Sequence, residues 1–134
     1  MTLPAIVDEH EEVASFVFES NKFKGNDLDF RQLMPSKRFG NTSVYRTVGL
    51  SETETADAGH AIALERPKPG ILGWGVLIAR AIRLISPLSI NAAEPPPRHA
   101  LIEGWPAAVQ EQRALAMNLA SKATVIKRTT VPAT

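Results

Sequence analysis

Residues 106–123, PAAVQEQRALAMNLASKA, carry the clearest helical pattern in the chain. Pro106 stands in the predicted first turn, where a missing backbone N–H leaves no hydrogen bond unmade. Apolar residues then recur at helical spacing along one stripe: Ala108, Val109, Leu115, Ala116 and Leu119. The β-branched residues 124–131 follow at once and predict a strand. A helix joined directly to a strand indicates a domain in which helices pack on a sheet.

Several other segments have the period-two pattern of strands. Residues 13–20 and 43–50 each alternate between two sets of side chains, as expected for a strand with one buried face. Residues 98–105, RHALIEGW, predict a further short strand. Residues 71–86 are apolar on both sides, which favours a central strand at the Trp74–Arg83 end, although the alanines and leucines also permit a helix.

A second, shorter helix is predicted from a capping signal. Ser51 is followed three residues later by Glu54, so that the hydroxyl and the carboxylate can each bond a backbone N–H at the helix start. We expect this helix to cover about residues 52–58 and Gly59 to end it. Residues 86–97, SPLSINAAEPPP, predict a loop that leads into the next strand.

Length and pattern together predict one α+β domain. The chain has 134 residues, which fits a single domain, and 44% of them are hydrophobic. Strands interleaved with helices indicate a mixed sheet with about two helices packed on it, over residues 13–131. Residues 1–12 are polar and acidic, and we expect them to form a flexible acidic N-terminal arm.

Composition excludes several classes of function. The chain has no cysteine, which rules out disulfides, thiol nucleophiles and cysteine-bound zinc. No histidine spacing typical of a metal site is present, so neither a metal nor another cofactor is expected. Arg80 and Arg83 interrupt the longest apolar run, residues 70–88, which argues against a membrane span. An acidic N-terminus is unlike a signal peptide, and we expect a cytoplasmic location.

His99 is the first candidate for chemistry. An imidazole can transfer protons near neutral pH, so His99 could act as a general acid or base, or bind an anion together with Arg98. The alternative is a structural histidine that starts the strand and bonds a loop carbonyl. The sequence alone favours this structural role.

Tyr45 and Arg46 form an aromatic–arginine pair within a predicted strand. The pair resembles the first strand of ADP-ribosyltransferase-like domains. That resemblance implies that Arg46 would hold a pyrophosphate through two parallel hydrogen bonds. With His99, these two residues would form the catalytic set of an enzyme acting on a nucleotide-type ligand. The carboxylate that this family takes from a later motif has only loose candidates here, at Glu65, Glu94 and Glu103.

A local basic cluster lies in residues 22–39. Phenylalanines are interleaved with its basic side chains, an arrangement that can bind phosphates and stack on bases. The net charge of +1 gives no general attraction to nucleic acid, and two nearby aspartates dilute the cluster. We therefore regard nucleic-acid binding as the weaker interpretation, carried by Lys22, Lys24, Arg31, Lys37 and Arg38.

The leading prediction is a non-catalytic module that binds another protein. The chain lacks the sequence motifs of known nucleophiles and metal sites, and its acidic arm suits a basic partner. An exposed Trp105 would be an interface anchor, since tryptophan contributes strongly to binding. Its alternative role is to close the junction between strand and helix. The predicted binding residues are Glu9, Glu11, Glu12, Arg98 and Trp105.

The order of motifs from residue 43 to residue 127 resembles a loose group of small uncharacterised bacterial proteins. In that group a proline-rich loop leads into a Pro-x-His-Ala-hydrophobic-x-Gly strand. The corresponding segment here is PRHALIEG, residues 97–104, with one additional residue before the glycine. A helix ending Leu-Ala-x-x-Ala follows, as in LASKA, residues 119–123. The resemblance implies one compact domain of a bacterial cell and places His99 inside the shared pattern. It implies no substrate.

Overall fold

Strands and helices alternate along the residues that the computed structural model describes, 3–66 and 70–128. The strands are β1 (Glu12–Val17), β2 (Phe23–Lys24), β3 (Asp27–Leu28), β4 (Thr42–Arg46), β5 (Gly73–Ile78), β6 (Ser89–Ala92), β7 (His99–Glu103) and β8 (Thr124–Lys127). The α-helices are α1 (Glu52–Ala63), α2 (Ala79–Arg83) and α3 (Val109–Lys122). Two 3-10 helices occupy Ser20–Lys22 and Phe30–Leu33.

Six strands form the main sheet in the order β6-β7-β4-β1-β5-β8, and β2 and β3 form a separate pair. Every neighbouring pair in the main sheet is antiparallel. The helix α1 connects β4 to β5, and α3 connects β7 to β8. The strands β4 and β7 run in opposite directions, and both connections lead toward the β8 edge of the sheet. Two crossovers of the same hand therefore place α1 and α3 on opposite faces of the sheet. The predicted α+β class in one domain is confirmed.

The sheet separates two apolar clusters because successive side chains of a strand point to opposite faces. On one face Val13, Val44 and Leu77 pack with α2, α3 and the second 3-10 helix. On the other face Phe16 and Trp74 pack beneath α1, and their rings meet edge to face with centroids 6.2 Å apart. The first cluster is the larger, so the α1 face is the less completely filled one.

The capping prediction for α1 is confirmed, but its predicted end is wrong. Ser51 Oγ accepts from the backbone N–H of Glu54, and Glu54 accepts from the backbone N–H of Ser51. The helix then runs through Gly59 to Ala63. Gly59 is required for packing, because a Cβ there would lie 2.7 Å from the Phe16 ring. Gly59 therefore marks the close contact between α1 and the Phe16 ring, and not the end of the helix.

The ambiguous residues 71–86 contain both of the structures considered. They begin as β5 and turn into the one-turn helix α2 at Ala79, so the favoured strand ends earlier than expected. The predicted loop over residues 86–97 contains β6, which pairs with β7 at the sheet edge. The predicted long helix is present as α3, but it begins at Val109 after an Ala108 N-cap, so Pro106 lies before the helix rather than in its first turn. Residues 129–131 of the last predicted strand lie outside the described residues.

Residues 3–12 differ from the flexible arm that the composition suggested. Leu3, Val7 and Glu11 are all buried, and the backbone N–H of Ala79 donates to the carbonyl of Glu11. Leu3 and Val7, spaced along the acidic segment, pack it against the domain. The flexible arm was predicted from the acidic residues alone, without these apolar contacts. Among the described residues, none of the helices has the length and hydropathy needed to cross a membrane.

Candidate functional site

A cavity of about 770 Å³ opens beside α1, over strands β1, β4 and β7; we call it the sheet–helix cavity. It exists because α1 covers only part of its sheet face. Further along that face the side chains of Asn91, Leu101 and Glu103 are exposed or half-buried. The exposed surface of the cavity wall is largely apolar, although about half of the lining side chains are polar or charged. The lining residues used below are Phe16, Phe18, Lys22, Ser43, Tyr45, Ala61, Ile62, Arg66 and His99.

Two neighbouring strands supply the polar part of the cavity. Tyr45 on β4 lies directly opposite His99 on β7 in the antiparallel register. Ser43 is two residues before Tyr45, so it points to the same face and is a diagonal neighbour of His99. The rings of Tyr45 and Phe16 lie 5.6 Å apart between centroids, and this contact joins the polar strands to the apolar floor on β1.

The imidazole of His99 is held by a hydrogen bond at each ring nitrogen. Nδ1 lies 3.1 Å from the carbonyl oxygen of Ala93, and Nε2 lies 3.1 Å from Oγ of Ser43. A carbonyl oxygen only accepts, so Nδ1 must carry the hydrogen and donate. In the neutral ring Nε2 is then an acceptor, and the Ser43 hydroxyl donates to it. The fold therefore fixes one tautomer and aligns a serine with the basic nitrogen.

This arrangement agrees with part of each sequence hypothesis for His99. The Nδ1 bond to a loop carbonyl is the structural role that was favoured, and the position in a cavity is what the functional role required. Sequence reasoning missed Ser43. The available signal was the spacing Ser-x-Tyr on one face of β4, which becomes informative only when the register with β7 is known.

Charged side chains also line the cavity. The guanidinium of Arg66 stacks over the Phe18 ring at 4.1 Å from its centroid, and Nζ of Lys22 lies 3.9 Å from a carboxylate oxygen of Glu19. The amide of Gln32 donates to Ser15 Oγ and to the Phe16 carbonyl, each at 2.8 Å, and this fixes the adjoining wall. The cavity thus combines an apolar floor with two cationic groups and the Glu19 carboxylate, which is also part of the lining.

Arg46 does not reach the cavity. It points to the opposite sheet face, where Nε and Nη2 donate to the two carboxylate oxygens of Glu11 at 2.8 and 2.7 Å, and Nη1 donates to the Pro4 carbonyl at 2.7 Å. The hydrogen bond with Glu11 raises the pKa of Arg46. Burial alone would raise the pKa of Glu11, but bonds from Arg46 and from the Asp8 backbone outweigh it and lower that pKa. This pairing contradicts the predicted pyrophosphate role of Arg46.

Arg98 and Trp105 both make structural contacts. Arg98 adopts a left-handed φ of 68°, and its Nη1 donates to the carbonyls of Arg46 and Val48 at 3.1 and 2.8 Å. Trp105 is half-buried against the larger cluster, and its Nε1 donates to the Ile102 carbonyl at 3.0 Å. Trp105 therefore closes the strand–helix junction, the alternative role considered for it, rather than standing free as an anchor.

The remaining predicted binding residues are spread over the surface. Glu9 and Glu12 are exposed, whereas Glu11 belongs to the buried pair with Arg46.

In the basic cluster, Arg31 pairs with Asp29 at 2.9 Å. The cationic group of Arg38 lies over the exposed Phe39 ring at 5.0 Å. Lys22 faces the sheet–helix cavity, while Lys24 and Lys37 are exposed elsewhere, so the cluster is not one continuous patch.

A second cavity, of about 730 Å³, lies between α3 and the β2–β3 pair. Its lining includes Phe30, Met117 and both Arg31 and Asp29, so its charges largely compensate.

Over residues 3–66 and 70–128, no group of three or more His, Asp or Glu side chains is placed to hold a metal ion. Comparison with family models, curated proteins and solved structures gives no match to this chain.

Proposed function

We propose that this chain binds a small, largely apolar molecule in the sheet–helix cavity. The observation that carries the proposal is the incomplete cover of the α1 face, which leaves a cavity of about 770 Å³ with a mainly apolar wall. Pockets that bind small molecules are typically 300–1,000 Å³ and combine an apolar lining with a few placed polar groups.

The polar groups indicate what kind of atom the ligand would carry. Tyr45 and the Ser43–His99 pair offer hydrogen bonds from the sheet. Arg66 brings positive charge, whereas the charge of Lys22 is shared with Glu19. An apolar body with an oxygen-bearing group, such as an ester or a carboxylate, complements this set. Phe16 and Ile62 would contact the apolar body, which loses hydration as it enters.

Other functions predicted from the sequence are less well supported. A nucleotide-type ligand would lack Arg46 as its anion clamp, because that side chain is paired on the opposite face. A protein partner in a bacterial cytoplasm stays a prediction, for which Glu9 and Glu12 remain exposed and available.

The test is binding of 8-anilinonaphthalene-1-sulfonate, whose fluorescence rises in an apolar site. Ala61 lines the cavity from α1, so Ala61→Trp should place an indole inside it and weaken binding by at least about tenfold, or ~1.4 kcal/mol. Thr53→Trp adds the same bulk to an exposed position of α1 outside the cavity and should bind as the unaltered chain does. Far-UV circular dichroism should show the same spectrum for both variants as for the unaltered chain, as a check that they fold. Equal binding by all three proteins would refute the proposal.

A further inference from the structure

We propose that Ser43 and His99 form a nucleophile–base pair that hydrolyses carboxylic esters carrying an apolar acyl group. The inference rests on the proposed function, because the acyl group would occupy the sheet–helix cavity. It goes beyond binding in assigning a reaction and the residues that carry it.

The geometry meets the requirements for activating a serine. The hydroxyl lies 3.1 Å from Nε2 of His99, within the hydrogen-bond range expected of a nucleophile and its base. A third group must hold the base in the tautomer that accepts at Nε2, and here the carbonyl of Ala93 does so through Nδ1. The arrangement supplies the nucleophile, the base and the orienting acceptor of a serine–histidine triad, with a neutral carbonyl in place of the charged carboxylate.

Accessibility is the second requirement, and the two residues satisfy it. Ser43 is exposed and His99 is half-buried, and both line the cavity. Both groups in this hydrogen bond are accessible. Removing one side chain would therefore not leave the other as a buried polar atom without a partner. Thr42 and Arg46 of the same strand contrast with Ser43. Both lie on the other face of the sheet, where they are buried and hydrogen-bonded to partners inside the domain.

The reaction would run in two balanced steps. Oγ of Ser43 attacks the ester carbonyl carbon while its proton passes to Nε2 of His99. The bond to the alcohol oxygen then breaks, and the departing alcohol takes that proton. Water next attacks the acyl-serine, giving one proton to Nε2, and the bond to Oγ breaks as Oγ recovers the proton. The products are one carboxylic acid and one alcohol, and no oxidant or metal is needed.

The test uses an octyl fluorophosphonate, which phosphonylates activated serines, and follows the intact mass of the full chain. We expect one adduct on Ser43, located by peptide mapping, and none on Ser43→Ala. The variant His99→Gln should react at least about a hundredfold more slowly, since general-base catalysis contributes roughly 10²–10⁴. Ser89→Ala is the matched control, because Ser89 lies on the same sheet face and contacts Asn91. It should react as the unaltered chain does.

A second measurement covers the case in which His99→Gln fails to fold. The chain has no cysteine, so Ser43→Cys introduces a single thiol. Iodoacetamide should alkylate it faster than the thiol of Ser121→Cys, because both positions are exposed and only the first lies beside an imidazole. Equal alkylation rates, or phosphonylation spread over other serines, would overturn the proposal.

Binding and catalysis remain separable in these experiments. If the chain binds the naphthalene probe but is not phosphonylated at Ser43, the nucleophile–base pair is refuted and the proposed function stands. If it neither binds the probe nor reacts, both are refuted. Phosphonylation at Ser43 that is blocked by Ala61→Trp would support both.

Discussion

The buried pair of Arg46 and Glu11 allows one effect on stability to be worked out closely. Arg46 is 0% exposed and Glu11 is 8% exposed, and two hydrogen bonds join them. The pair attaches the N-terminal segment to the centre of the sheet, because Glu11 precedes β1 and Arg46 ends β4. Replacing Glu11 with leucine would leave the guanidinium buried with only the Pro4 carbonyl as an acceptor.

The expected cost follows from that unpaired charge. Removing one partner of a buried ion pair typically costs about 3–5 kcal/mol. A domain of this size has a free energy of unfolding of about 5–15 kcal/mol, so Glu11→Leu should remove a large share of it. Adding Arg46→Met removes the stranded charge as well. The double variant should therefore be more stable than Glu11→Leu alone, and the two changes should be strongly non-additive.

Urea denaturation at pH 7 measures these differences. The midpoint should fall clearly for Glu11→Leu and recover in part for the double variant, with similar slopes. Glu12→Leu is the matched control, because the neighbouring Glu12 side chain is exposed, and its midpoint should hardly change. A loss below about 1 kcal/mol for Glu11→Leu would refute the reasoning, since it would be the value of an exposed ion pair.

Three further predictions concern the same framework. Ser51→Ala removes the side-chain acceptor at the start of α1 and should cost about 1 kcal/mol in thermal or urea unfolding; no change would contradict the capping role. Gly59→Ala puts a Cβ 2.7 Å from the Phe16 ring and should cost about 1–3 kcal/mol through overpacking, against little change for the exposed Thr53→Ala. Because the pKa of Glu11 is lowered in the folded state, its contribution is complete above its unfolded-state pKa near 4.3 and is lost as the pH falls through the lower folded value. The urea midpoint should thus fall more steeply below pH 4.3 for the unaltered chain than for Glu11→Gln, and parallel curves would contradict this.

Local signals predicted much of the fold. Period-two alternation marked β1 and β4, the Ser51–Glu54 pair marked the start of α1, and the apolar stripe marked α3. The strand β6 was missed although its partners in β7 lie only 8–14 residues further along the chain. The end of α1 was missed because Gly59 packs against Phe16, which is distant in the sequence and outside any local window.

The site was less predictable for the same reason. Tyr45 and Arg46 are adjacent in sequence, and alternation along a strand already places adjacent side chains on opposite faces. Treating them as one binding pair overlooked that constraint. Ser43 and His99 are 56 residues apart, and only the β4–β7 register brings them together. The burial of Glu11 within an acidic segment likewise depended on its partner, Arg46.

The most direct test of the sheet–helix cavity as the functional site is an amide NMR titration with 8-anilinonaphthalene-1-sulfonate. The account predicts saturable shifts that are largest at the cavity lining, at Phe16, Tyr45, Ala61 and His99, and much smaller at the second cavity, at Phe30 and Met117. Largest shifts at Phe30 and Met117, or no saturable shifts at all, would contradict it.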